Sequence, residues 1–99
     1  MNPLITEKLL NKQAFNITDF ANIVMKKTET IRSWELKGII DKPNVDSRHW
    51  RKYSRDELAD CLEKVLNHSW ERKVIKNEQE IQYVIDRLRN NLFTYTIKL

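Results

Sequence analysis

Residues 28–38, Thr28-Glu29-Thr30-Ile31-Arg32-Ser33-Trp34-Glu35-Leu36-Lys37-Gly38, decide how the rest of the chain is read. Ile31 and Trp34 stand three apart with Leu36 nearby and are assigned to one side of a short helix. Thr28, Glu29, Arg32, Ser33 and Lys37 are left for the other side. Gly38, the only glycine in the chain, follows directly. A glycine just past an apolar-periodic run supplies the left-handed residue that ends a helix, because other residues meet a steric cost there.

Immediately upstream, Asn16-Ile17-Thr18-Asp19 reads as a helix cap with an acidic residue three positions on, followed by Phe20, Ala21, Ile23 and Val24 at helical spacing. Only Met25, Lys26 and Lys27 separate this helix from Thr28. That is the length of the tight connection in a helix-turn-helix. The second helix of such a pair is the one offered to DNA, which makes Thr28, Glu29, Thr30, Arg32 and Ser33 the candidates for base edges.

Composition supports the same direction. The 99 residues include 32% charged and 40% apolar side chains, one glycine and two prolines, which favours one small helical domain over an all-strand fold. The formal net charge is +4. Between Lys26 and Arg55 there are nine lysines or arginines against four acidic residues, while the rest of the chain is nearly balanced, so the basic surface coincides with the reading unit. Cys61 is alone, and Cys61, His49 and His68 lack ligand spacing, so neither a metal site nor another cofactor is expected. Neither histidine stands beside a nucleophile or a paired carboxylate, and no catalytic residue is assigned. No apolar run approaches the roughly 20 residues of a membrane span, and the expectation is a cytoplasmic protein without membrane contact.

Taken in order, residues 1–15 form an N-terminal extension in which Ile5, Leu9, Leu10, Ala14 and Phe15 fit a loose amphipathic helix beginning near Thr6. Ile39-Ile40 fits the start of a strand. From Val45 to Ser54, Trp50 and Tyr53 are mixed with Arg48, His49, Arg51 and Lys52, the composition of a β-ribbon that packs one side on the helices and shows cations on the other. Ser54-Arg55-Asp56-Glu57 is a capping box, and Leu58, Cys61, Leu62, Val65 and Leu66 continue it as a third helix. Ser69 then fits the cap of a last long helix. Its residues Val74, Ile81, Ile85, Leu88 and Leu92 fit a heptad seam, read as a homodimer or partner contact, with packing onto the chain's own domain as the alternative. Residues 93–99 alternate apolar with polar in the period of a strand. The resulting fold class is mainly α with a small β-wing: a winged helix-turn-helix over 16–66, then 67–99 as a long C-terminal helix and a short tail strand.

With these parts in place, the run from Asn16 to Leu66 resembles the DNA-binding domain of MerR-type winged-helix regulators. The residues that carry the resemblance are Ile17, Asp19, Phe20 and Ala21, then Thr30-Ile31-Arg32 with Trp34-Glu35 and Gly38-Ile39-Ile40, and finally Trp50-Arg51-Lys52-Tyr53-Ser54 with Asp56-Glu57-Leu58. The resemblance implies that Arg32 and the start of its helix face the major groove, that Arg51 and Tyr53 grip the sugar-phosphate backbone, and that Trp34 packs inside. Three departures stand out. Met25 and Lys26 occupy a turn where the family often has glycine and an apolar residue, Ser33 replaces a frequent aromatic, and the likeness fades after Leu66.

Three functions follow as expectations. The first is a small, sequence-specific regulator of transcription that binds double-stranded DNA without an effector domain. In it Lys26, Lys27, Arg32, Arg48, Arg51 and Lys52 neutralise phosphates, with Lys37, His49 and Tyr53 in the same interface. The second is an excisionase-like architectural protein that bends DNA. The third is a protein-interaction inhibitor that has lost DNA binding and works through a protein partner.

Overall fold

Thr6 caps a four-residue helix, α1 (Glu7–Leu10), through a hydrogen bond that its hydroxyl accepts from the Leu9 amide. The elements that follow are β1 (Ala14–Phe15), α2 (Ile17–Val24), α3 (Thr28–Leu36), β2 (Asn44–Val45), β3 (Arg51–Ser54), α4 (Arg55–Asn67) and α5 (Glu78–Ile97). This computed structural model describes residues 2–45, 50–68 and 73–97, with the backbone alone at 44–45 and 91–97. Arg48, His49 and Ser69, and the side chain of Leu92, lie outside the described residues.

The N-terminal helix is shorter than its apolar residues predict. Ala14 and Phe15 leave it and pair antiparallel with β3, Ala14 opposite Ser54 and Phe15 opposite Tyr53. Strand β2 pairs with the other side of β3, giving a three-stranded sheet in the order β1-β3-β2. Ile39 and Ile40 form no strand. They lie in the turn after Gly38, where Ile40 is buried and Ile39 packs against the core.

Helices α2 and α4 each begin with the capping box that their sequences announce. Asn16 and Asp19 exchange side-chain to backbone hydrogen bonds of 2.8 and 3.1 Å, and Ser54 and Glu57 exchange a pair of 3.1 and 2.9 Å. Both α2 and α3 end in the same device. The Lys26 amide reaches back to the Ala21 carbonyl and that of Met25 to Asn22, just as those of Ile39 and Gly38 reach Trp34 and Glu35. The left-handed residue is Gly38 in one case (φ 76°) and Met25 in the other (φ 58°).

Beneath the two helices, Phe20 holds three elements together. Its ring meets Tyr53 of β3 nearly edge-on at 5.5 Å and Trp34 of α3 at 6.1 Å. Leu36 is not part of this core and is 90% exposed. The helical period explains the difference. At about 100° per residue, Leu36 falls about 170° from the midpoint between Ile31 and Trp34.

The C-terminal helix corrects two expectations. Ile81, Ile85 and Leu88, together with Val84, are buried in the chain's own core and are not an open dimer seam. Their spacing serves equally to cover the apolar face of α4, Leu58, Leu62 and Val65, which α5 packs against. Val74 precedes α5 and is exposed. Among the described residues the predicted tail strand does not form, because 93–97 continue α5. Extending an existing helix adds a hydrogen bond per residue without a nucleation cost, and this outweighs a short alternating pattern.

Two sets of polar contacts tie the chain ends to the centre. The Arg55 guanidinium donates to the carbonyls of Leu10, Lys12, Arg87 and Leu88 at 2.6–3.2 Å, joining the N-terminal segment and α5 to the start of α4. The Asn2 and Asn77 side-chain amides donate to the carbonyls of Asn22 and Ile23, in the last turn of α2, at 2.7 and 2.8 Å. Among the described residues, no helix is long and apolar enough to cross a membrane.

Candidate nucleic-acid interface

Helix α3 presents a two-sided surface. Ile31 and Trp34 are buried, Thr28, Thr30 and Ser33 are half-buried, and Glu29, Arg32, Leu36 and Lys37 are exposed. Glu29, Arg32 and Leu36 recur at spacings of three and four, so they form a continuous stripe on the face away from the core, with Lys37 beside its end. Lys27 stands at the cap position without a side-chain hydrogen bond to the first turn. That leaves the helix start, with its partial positive charge, uncovered by a cap. Within the first turn and a half, Arg32 donates to the Thr28 hydroxyl at 3.4 Å and that hydroxyl donates to Glu29 at 3.5 Å. Both contacts are long and easily exchanged for others.

The wing is attached to this helix through one carboxylate. Glu35 accepts from Arg51 Nε at 2.7 Å and from its terminal nitrogen at 2.9 Å, and the Tyr53 hydroxyl donates to the same carboxylate at 3.3 Å. Arg51 is held more firmly charged by the bond to Glu35, against the opposing effect of its own desolvation. Burial and the neighbouring Glu35 charge push the Tyr53 phenol well above its ordinary range.

These contacts revise the expected roles along β3. Tyr53, assigned above to the sugar-phosphate backbone, is fully buried, while Trp50 is 60% exposed and Lys52 is exposed. Side chains alternate along a strand, so Trp50 and Tyr53, three apart, lie on opposite faces and cannot share the inner one. Once Tyr53 packs edge-on against Phe20, Trp50 and Lys52 face outward. The parity of the two aromatic positions was the available signal, as the helical angle was for Leu36.

Trp50 and Arg51 meet Arg32, the α2 cap Asn16 and the first residues of α2, Ile17 and Thr18, around an open cleft of about 350 Å³. Lys26 is half-buried in the turn before α3, and Lys27 is exposed beside it. The structure therefore brings together α3, its preceding turn and the outer side of the wing. It does not bring Tyr53 to the surface, and it commits Arg51 to Glu35.

Among the described residues no group of three His, Cys, Asp or Glu side chains is arranged to hold a metal ion. Cys61 is buried in α4, and burial, followed by the Asp41 charge, pushes its thiol up to about 12.

No curated protein and no solved structure matches the chain. A family model described as MerR HTH family regulatory protein matches residues 15–63. The match runs from the end of β1 through both helices and the sheet into α4, so this part of the chain is a MerR-type helix-turn-helix DNA-binding domain.

Proposed function

We propose that the protein is a small transcriptional regulator that reads double-stranded DNA by sequence, with α3 in the major groove and the outer face of β3 on the flanking backbone. The observation that carries this reading is the division of α3. Ile31 and Trp34 are spent on the core, Trp34 against Phe20, while Glu29 and Arg32 face outward together on a helix pinned to the wing by Glu35 and Arg51. Arg32 suits guanine and Glu29 suits the amino group of cytosine, with Thr28, Thr30 and Ser33 beside them. Lys26, Lys27, Lys37 and Lys52 serve phosphates, as do Arg48 and His49 by their place in the sequence of the wing.

The test is selection from random duplex DNA, followed by titration of the preferred sequence at several salt concentrations. Enrichment of one sequence, with a salt dependence equivalent to roughly 4 to 8 phosphates, supports the reading. Equal binding of all duplexes, lost by about 150 mM salt as for any basic protein, refutes it.

A second reading has one observation in its favour. Because Ile81, Ile85 and Leu88 are used inside the chain, they offer no coiled-coil seam for a symmetric dimer on a palindrome. That favours an architectural role over a coiled-coil dimer, with copies bound side by side on repeated sites and the DNA bent. Position-dependent gel mobility of permuted fragments would reveal the bend.

A further inference from the structure

We infer that Leu36 is a base-reading residue, which packs on the 5-methyl group of a thymine in the major groove. The inference rests on the reading of α3 as the recognition helix and adds a specificity position at its far end. Leu36 follows Glu29 by seven residues and Arg32 by four, so it lies two turns along the same stripe, about 10 Å from Glu29 along the axis. It points almost directly away from Ile31 and Trp34 and is the most exposed of the large apolar side chains described.

An isolated exposed leucine is ordinary on a protein surface and carries no message by itself. Its neighbours give this one its meaning. Arg32 is exposed one turn before it and Lys37 directly after it. An apolar protein partner on Leu36 would have to desolvate both cations without pairing them. A DNA groove takes the cations to guanine or phosphate and offers an apolar group between them, and thymine is the base with a methyl group on its major-groove edge. Helix α3 ends at Leu36, and Gly38 turns the chain away toward Ile40 in the core, so no later residue of the helix stands between Leu36 and the groove floor.

The experiment uses the full chain and the duplex obtained by selection. Each thymine is replaced in turn by deoxyuridine, which removes only the methyl group, and affinity is measured for the wild-type protein and for Leu36→Ala. The expected result is one thymine at which deoxyuridine weakens wild-type binding about three- to five-fold, the worth of one buried methyl group, and leaves Leu36→Ala binding unchanged. Thermal unfolding of Leu36→Ala should match the wild type, since the side chain is outside the core.

A flat deoxyuridine scan for the wild type, or an equal loss in both proteins at every position, overturns the inference while leaving sequence-specific binding intact. So does a Leu36→Ala protein that binds the selected duplex normally and has lost self-association, which would assign the residue to a protein contact. If selection enriches no sequence, the reading of α3 fails first and this inference falls with it.

Discussion

Glu35 of α3 and Arg51 of β3 form a two-pronged ion pair, with the carboxylate only 6% exposed and the guanidinium 25%. It joins α3 to the wing across sixteen residues of chain. Removing the arginine strands a nearly buried carboxylate that still accepts a long hydrogen bond from the Tyr53 hydroxyl. Arg51→Ala is expected to cost roughly 2 to 3 kcal/mol in urea unfolding, and Arg51→Lys to recover only part of it because an ammonium cannot bond both oxygens from one plane. A loss below about 0.5 kcal/mol would show that the pair does not hold the wing.

Met25 adopts the left-handed conformation that Gly38 occupies at the end of α3, and more than half of its surface is exposed. Little burial is lost on truncation, so the backbone term dominates. Met25→Gly should stabilise the protein by roughly 0.5 to 1 kcal/mol, whereas the β-branched Met25→Val should destabilise it by a similar amount or more. Urea midpoints moving the opposite way would mean that the side chain contributes more than its exposure implies.

Arg32 and Trp34 are two residues apart and face opposite environments. Trp34→Ala should cost roughly 3 to 5 kcal/mol, a large share of the stability of so small a domain. Arg32→Ala should leave unfolding unchanged, weaken specific binding by roughly 1 to 3 kcal/mol and relax the preference at one base pair. Anisotropy titration beside thermal unfolding separates the two effects. A destabilised Arg32→Ala, or a normally stable Trp34→Ala, would reverse the assignments.

Alkaline pH should weaken the fold through Cys61. The thiol, ordinarily at 9.0, is pushed up to about 12, so the folded protein keeps a proton that the unfolded chain releases. The contribution is complete below about pH 9 and declines as pH rises toward 12, by up to about 1.4 kcal/mol per pH unit. Tyr53 shifts in the same direction. Urea unfolding of Cys61→Ala between pH 8 and 10.5 should show a shallower decline than the wild type. Equal slopes would exclude the thiol as a source.

The parts most legible in the sequence are those specified by neighbours in the chain. The capping boxes at Asn16 and Ser54 and the stop at Gly38 need only local residues, and all three form as read. Burial of Trp34 follows from the helical period. Roles decided by distant partners are harder to read. Tyr53 has the composition of a surface aromatic until Phe20 and Glu35 claim it, and Arg51 has that of a free cation until Glu35 pairs with it. The spacing of Ile81, Ile85 and Leu88 fixes an apolar face but not the surface that covers it.

The cover that α5 gives α4 also bears on the timing of folding. The apolar side of Leu58, Leu62 and Val65 packs with residues 81–88, and Arg55 reaches its last acceptor at Leu88. A nascent chain must therefore expose its residues as far as Leu88 beyond the ribosome before the helix-turn-helix acquires its supporting floor. Local contacts form early and the long-range closure comes last. The helix-turn-helix of residues 17–36 thus gains its full support only after residues about fifty positions further along the chain have emerged.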